Sequence, residues 1–510
     1  MKAGIAAIAI TALTLASCGR AGPLDRTGKQ WIPFVEWSLE NPTYDGEPHD
    51  LVATATFTHD ASGEKRTTEM FYGGGSAWKF RFSGTQPGRW SFVTASADQD
   101  LDGRRGRVTI EPNPGVPGFV TKLGSKWART GTGEVFVPQL VMYEDPPNYY
   151  DKPAKIDADI RTFLVEHGFN GFHTMVFCRW FDLNEERSNE IDAPDPKPDP
   201  RTFEALELLI TKVHAAGGIV HIWAWGDESR KQTPIRWGKN GAVDKRLQRY
   251  IGARLGPLPG WSMGYGFDLD EWTEEEDLRG WHTYMHEHLG WSHFLGGRSV
   301  GPNRYRPGIQ FPQIHEGLDY SGYEQHRPTY EAYVAALQAR PGKPTFSEDR
   351  FRIRDPSPYP DKDYTEELTR RGLWHSTMAG GVANIWGYLP RGHDSSRGSA
   401  PYPHPEWIRA CAEFFRDRFV KDMIRDNTIT DGVCLKRPNG VGFVFYKEDA
   451  TSIEMDLSAM PAAQAAVAVD AKRTYEEIPI GRLTPEKHTW TAPHESDWAI
   501  AVGEPEGSRR

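Results

Sequence analysis

Within residues 51–110, short runs alternate apolar and polar residues with the period of two that a half-buried strand requires. Trp78-Lys79-Phe80-Arg81-Phe82 puts three aromatic rings on one face, and Gly88-Arg89-Trp90-Ser91-Phe92 repeats the pattern after a Gln-Pro-Gly turn. The runs 51–57 and 107–110 are β-rich in the same way, so residues 31–112 read as a β-sandwich of short strands. Asn113-Pro114-Gly115-Val116-Pro117-Gly118 has the composition of a linker. Beyond it, apolar runs of strand length alternate with longer stretches of helical period, the signature of βα units. Strands are expected at 135–141, 171–177, 219–224, 260–264, 294–298, 317–320, 345–348 and 382–386. Helices are expected near 156–167, 203–216, 278–288, 330–339 and 365–379. Over residues 118–420 this rhythm predicts a (β/α)8 barrel with long loops. Short strands return over 425–504, where Ile453-Glu454-Met455-Asp456-Leu457 shows the period-2 pattern cleanly, and a second, smaller β-sandwich is expected. The expected fold class is therefore α/β, a TIM barrel flanked by N- and C-terminal β-sandwich domains.

A length of 510 residues fits two or three domains. A net charge of -10, with acids and bases mixed, argues against a nucleic-acid role, which calls for a basic surface. The N-terminus reads as a targeting signal, with Lys2 preceding an apolar run from Ala3 to Leu15 that is too short for a membrane span. Leu15-Ala16-Ser17-Cys18 resembles the lipobox of bacterial lipoproteins. The resemblance implies cleavage before Cys18, lipid attachment to its sulfur and, with no Asp after the cysteine, retention at the outer membrane. The alternative is a plain secretory peptide with an incidental cysteine. Residues 19–30 read as a polar tether. Cys178, Cys411 and Cys434 are too few and too widely spaced for a disulfide framework or a zinc site, and buried thiols are expected.

The candidate chemistry sits at the expected strand ends. Pro344-Thr345-Phe346-Ser347-Glu348-Asp349 is a short apolar run that ends in a carboxylate, and a barrel presents its reacting groups at the C-terminal ends of its strands. A second acidic cluster, Asp268, Asp270 and Glu271, follows the fourth strand, and two carboxylates from two strand ends are what glycoside hydrolysis needs. Asp268 is the candidate acid, since its aromatic neighbours could raise its pKa by desolvation, and Glu271 is the runner-up. Glu274 to Glu276 read as the acidic first turn of a helix. Each carboxylate also has a structural reading, Glu348 as an ion pair at a strand end. His173, His221, Trp223, Asp227, Tyr320, His326 and Trp386 lie on or after strands, and polar groups with flat rings suit sugar subsites. Any one of them alone could be a core residue; their recurrence is the signal. No metal or cofactor is expected. His282 and His286 have the histidine spacing of a zincin, but Thr283 stands where the glutamate base belongs, so they read as a helix face.

With these residues in view, the barrel resembles the apiosidase-like branch of bacterial glycoside hydrolases, related to clan A. The Trp31-Ile32-Pro33-Phe34-Val35-Glu36-Trp37 opening resembles the small domain that precedes such barrels. The C-terminal segment resembles a module often labelled collagen-binding. The resemblance implies that Glu348 is the seventh-strand nucleophile. In that family an Asn-Glu or Glu-Glu pair follows the fourth strand's glycine; here Gly264 is followed by Tyr265-Gly266. The acid is thereby displaced to Asp268 or beyond, and retaining and inverting outcomes both stay open. The expected function is a lipid-anchored glycoside hydrolase acting on a poly- or oligosaccharide. The competing expectation is a non-catalytic surface glycan-binding lipoprotein on a degenerate barrel; a polysaccharide lyase using His173 and Arg179 is a weaker third.

Overall fold

A computed structural model describes residues 24–181, 193–299, 317–353, 360–388 and 402–503. Cys18 and the apolar run before it lie outside these residues. At the centre is a nearly closed parallel barrel, its strands named here β1 (Gln139–Met142), β2 (Gly171–Met175), β3 (Ile219–Trp223), β4 (Trp261–Gly264), β5 (Phe294–Gly296, continued by Arg298–Ser299), β6 (Ser321–Tyr323), β7 (Thr345–Ile353) and β8 (Val382–Tyr388). Pairing runs in sequence order, and β8 returns to β1. The fifth strand is split at Gly297: its first half pairs with β4 and its second with β6. In each strand alternate residues point inward. Phe172, Val220, Ile222 and Met263 face the helices, whereas His173, His221 and Trp223 face the axis.

The strand pattern departs from expectation in three places. Val135–Phe136 belongs not to β1 but to a small antiparallel sheet with Lys126–Arg129 and Val120–Leu123. That sheet carries Trp127, whose indole packs against Phe294, Tyr320 and Phe346 and donates to the Thr345 carbonyl at 3.2 Å, closing the N-terminal end of the barrel. The sixth strand pairs at Ser321–Tyr323, past the expected 317–320. The seventh runs on to Ile353 through a register shift between Ser347 and Arg350, which leaves Glu348 and Asp349 in a bulge. Two helices, Ala242–Leu255 and Pro405–Phe415, escaped the pattern reading. The first hides its apolar stripe (Val243, Leu247, Tyr250, Ile251) among many charges.

The N-terminal residues form a five-stranded and a three-stranded sheet around one core, where Trp37 of one stacks among Phe57, Phe80 and Phe92. Arg26–Lys29, expected in the tether, is an edge strand parallel to Arg105–Glu111. The C-terminal residues form one continuous six-stranded antiparallel sheet rather than two. Its long strands Phe443–Asp456 and Lys487–Val502 pair through two register shifts. Such bulges bend a strand, and Phe445, Ile453, Met455, Trp498 and Ile500 share one core. Cys178, Cys411 and Cys434 are buried and unbridged.

Both β units grip the barrel through a buried carboxylate. Glu207 lies between Arg81 of the N-terminal sheets, at 2.8 Å, and Arg254 of the helix before β4, at 2.5 Å. Asp497 of the C-terminal sheet meets Arg370 and Arg371 of the helix Glu366–Met378, where Trp374 stacks on Tyr446 at 4.9 Å. Removing one member of such a group leaves buried charge without its counterion. Glu207→Ala is expected to lose about 3–5 kcal/mol, read as a lowered Tm in thermal denaturation.

Candidate active site

The bulge in β7 turns the Glu348 side chain into the barrel, where it has no exposed surface. The Trp223 indole donates to its Oε2 at 2.6 Å, and the Tyr320 hydroxyl bonds the same carboxyl. Its Oε1 has no hydrogen-bond partner. Space for the group is made by glycine. A Cβ on Gly264 would stand 3.1 Å from Oε2, and one on Gly322 only 2.4 Å from Oε1. Burial pushes the Glu348 pKa up to about 7, against the lowering by Trp223, Tyr320 and the charge of Arg298.

A hydrogen-bonded chain extends from this carboxyl across the barrel. Tyr320 OH lies 3.0 Å from His221 Nε2, and His221 Nδ1 lies 2.9 Å from His173 Nδ1. All three residues are fully buried, and burial holds the His221 pKa down at about 3, so its ring is neutral. A neutral imidazole has one donor and one acceptor nitrogen. If Tyr320 donates to Glu348, its oxygen accepts from His221 Nε2–H, and His221 Nδ1 then accepts from His173.

Above this layer sits Arg298, at the end of the split fifth strand. Its Nη1 donates to the Glu348 carbonyl at 3.3 Å, its Nη2 meets Asp268, and Glu324 lies 3.2 Å away. Its guanidinium carbon is 5.3 Å from the ring centres of Trp223 and Phe267. Burial works against its charge, but Glu324, Asp268 and Asp349 outweigh burial and raise its pKa above the ordinary value. His326 Nε2 completes the group, 2.9 Å from Glu324 and 3.4 Å from Asp349. Asp268 takes a left-handed backbone (φ 50°), which an aspartate tolerates better than most residues, and reaches Arg298 from the turn after β4. Glu324, His326 and Asp349 also offer three donor atoms within 4.8 Å, but Arg298 already supplies the local positive charge.

The structure thus brings together Glu348, Asp268, His173, His221, Trp223, Tyr320 and His326. Trp223 and Tyr320 serve as hydrogen-bond donors to a carboxyl rather than as exposed stacking surfaces. Three expected site residues lie elsewhere. Trp386 is on the outward-facing set of β8: its indole donates to Gln139 at 2.6 Å and packs on Phe351 and Tyr364, while Ala383 and Ile385 take the inward positions. Asp227 caps a short 3-10 turn, accepting from the Ser229 N–H at 2.7 Å. Glu271 is exposed at the end of the turn after β4. Arg298, Glu324 and Asp349 were not singled out from the sequence. The same period-2 count that places Phe294 and Tyr320 inward would have found the first two, as Phe294-Gly296-Arg298 and Tyr320-Gly322-Glu324.

Residues 27–97 match the family model described as a domain of unknown function, DUF5060. No curated protein matches the chain. Among solved structures, the chain resembles a Bacteroides vulgatus ATCC 8482 protein provisionally described as a glycoside hydrolase, with a TM-score of 0.73 at 16% identity, over 94% of this chain and all of that one (100%). A structure described as a glycoside hydrolase has a TM-score of 0.59 at 12% identity, covering 78% of this chain and 99% of that one. A family 5 glycoside hydrolase from Bacteroides vulgatus ATCC 8482 has a TM-score of 0.59 at 11% identity, covering 77% and 96%. At such identities the likeness establishes the fold: a TIM-like barrel with flanking β domains.

The buried carboxyl carries a stability signature. Its folded-state pKa, about 7, lies above the ordinary 4.5 that it regains on unfolding, so the unfolded chain gives up this proton first. Stability therefore falls as pH rises from about 4.5 to about 7, by about 3 kcal/mol in all, and the loss is complete above. Glu348→Gln has no such proton. Its Tm relative to the parent is expected to climb across that range in pH-resolved thermal melts, and a constant offset would place the Glu348 proton elsewhere.

Proposed function

We propose that the protein is a glycoside hydrolase whose reaction centre is Glu348, acting on a carbohydrate without a resident cofactor. The observation that carries this reading is a carboxyl in the bulge of β7, turned into the barrel, with a pKa raised toward neutrality, and a second carboxylate, Asp268, on Arg298, whose Nη1 donates to the Glu348 carbonyl. Likeness of fold to glycoside hydrolases adds to it.

The environments divide the roles. A general acid needs a proton to give near neutral pH, and burial leaves that proton on Glu348. Asp268, in contact with a buried guanidinium, suits the anionic partner that stabilises or attacks the anomeric carbon. This is the reverse of the division implied by the sequence resemblance, in which Asp268 is the acid and Glu348 the nucleophile. Glu324 and Asp349, on the same Arg298 group, would hold Asp268 and the guanidinium in register. The absent Asn-Glu pair and the full burial of Glu348 favour the competing reading of a glycan-binding scaffold. The lipobox at 15–18 supports an envelope lipoprotein anchored through Cys18 at the outer membrane.

Sugar release from a panel of plant and algal polysaccharides, followed for the parent, Glu348→Gln and Asp268→Asn, tests the reading. Both variants are expected to lose at least about 100-fold in rate, the scale of a lost acid or base. On an aryl glycoside whose leaving group needs no protonation, Glu348→Gln should recover most of its activity and Asp268→Asn should not. The opposite recovery restores the division implied by the resemblance. Glycan binding without release by any of the three makes the barrel a scaffold. Separately, Cys18→Ala is expected to move the protein from the detergent phase to the aqueous phase on partitioning.

A further inference from the structure

On the outer wall of the barrel, two histidines and an aspartate converge on one point. His282 and His286 are one turn apart on the helix Glu275–Leu289, so both rings lie on one face. Their Nε2 atoms are 3.1 Å apart. Each also meets the same oxygen, Asp319 Oδ2, His286 at 2.9 Å and His282 at 3.2 Å. The carboxylate is itself fixed: Oδ2 accepts the Leu295 N–H at 2.8 Å, and the Asp319 N–H donates to the Leu295 carbonyl at 2.9 Å. One element thus sets both rings, and the first residues of β5 set the carboxylate.

Hydrogen bonding alone accounts poorly for this convergence. It directs two imidazole nitrogens at each other and at one oxygen that already holds a backbone N–H, while a neutral imidazole has a single N–H to offer. A metal ion takes three lone pairs at once. Bonds of about 2.0–2.1 Å to tetrahedral zinc put neighbouring donor atoms roughly 3.3 Å apart, close to the triangle of 2.9, 3.1 and 3.2 Å found here. Two nitrogen donors exclude the oxygen-seeking calcium and magnesium. The three side chains keep part of their surface in solvent (16, 30 and 25% exposed), so an ion can enter and water can fill the fourth position.

We propose that His282, His286 and Asp319 form a binding site for one zinc-class divalent cation. Its place in the fold makes it structural. The helix that follows β4 runs back toward the start of β5, so His286, Leu295 and Asp319 lie at the N-terminal end of the barrel, away from Glu348 and on the face where stability rather than chemistry resides. Thr283 leaves no carboxylate base beside the first histidine. The ion would clip this helix to the beginnings of β5 and β6. The same helix carries His288, which holds Glu69 of the N-terminal sheets at 2.6 Å, so the clip would brace that contact as well.

The test is metal binding by the untagged protein, stripped with chelator, beside the double variant His282→Gln/His286→Gln. Zinc is titrated calorimetrically, cobalt is followed by its visible spectrum, and Tm is read with and without zinc. The parent is expected to take up one more zinc per chain than the variant, to show the strong visible bands of tetrahedral cobalt, and to gain several degrees in Tm with zinc. The variant should lack all three responses while keeping its far-ultraviolet spectrum. Equal uptake and equal cobalt spectra would overturn the site and leave a hydrogen-bonded His–Asp cluster. Asp319→Asn, which can still accept from the Leu295 N–H, provides the same comparison if the double variant does not fold. None of these readouts is sugar release, so their failure leaves the reading of Glu348 untouched.

Discussion

A carboxyl group with no exposed surface has to be housed inside a nearly closed ring of strands, and much of the barrel's upper layer follows from that. Inward-facing residues of neighbouring strands share a small volume, so the choice at one strand limits the others. Glu348 on β7 fits because Gly264 on β4 and Gly322 on β6 have no side chains, and because Trp223 on β3 turns its N–H rather than its ring edge toward the acid. Tyr320, His221 and His173 continue the line of hydrogen bonds to β2. A buried polar group without partners costs roughly 1–3 kcal/mol, so such a line is stable only when its members are present together. The bulge that leaves Glu348 and Asp349 outside the β8 register gives this strand the slack to aim the acid.

Charge is handled by the same economy at three places. Arg298 gathers Asp268, Glu324 and, through His326, Asp349 at the mouth. Glu207 between Arg81 and Arg254 holds the N-terminal sheets, and Asp497 between Arg370 and Arg371 holds the C-terminal sheet. In each case buried or half-buried ions are matched with more than one partner, the condition under which their desolvation is offset. The consequence is a barrel whose β units are oriented by directional contacts as well as by apolar area. The helix Glu275–Leu289 takes part in two such arrangements, His288 with Glu69 and the His282–His286–Asp319 group.

The parallel strands were legible because a strand buried on both faces reads as a continuous apolar run, and the interruptions by His173, His221 and Glu348 stood out against it. The helix Ala242–Leu255 was not legible, since its buried apolar residues are interspersed with a lysine, three arginines and an aspartate. Trp386 was misjudged for a different reason. Position at a strand end says that a residue is near the mouth, but only the phase of alternation says which side of the sheet it faces, and Ala383 and Ile385 hold the inward phase. Asp227 was drawn away by its own backbone, whose turn uses the carboxylate as a cap.

Sequence alone determined the order of the elements, the βα rhythm between two β-rich segments, and a glutamate on the seventh strand, because period and composition are local properties of the chain. Only the tertiary structure decided which groups meet. Arg298 reaches Asp268 because the fifth strand splits at Gly297 and changes partner. His282 and His286 find Asp319 because a helix folds back on a loop more than thirty residues further along. The carboxyl of Glu348 owes its raised pKa to burial, which outweighs the lowering by Trp223, Tyr320 and Arg298, and solvent exclusion of that kind is a property of the assembled barrel that no short stretch of sequence carries.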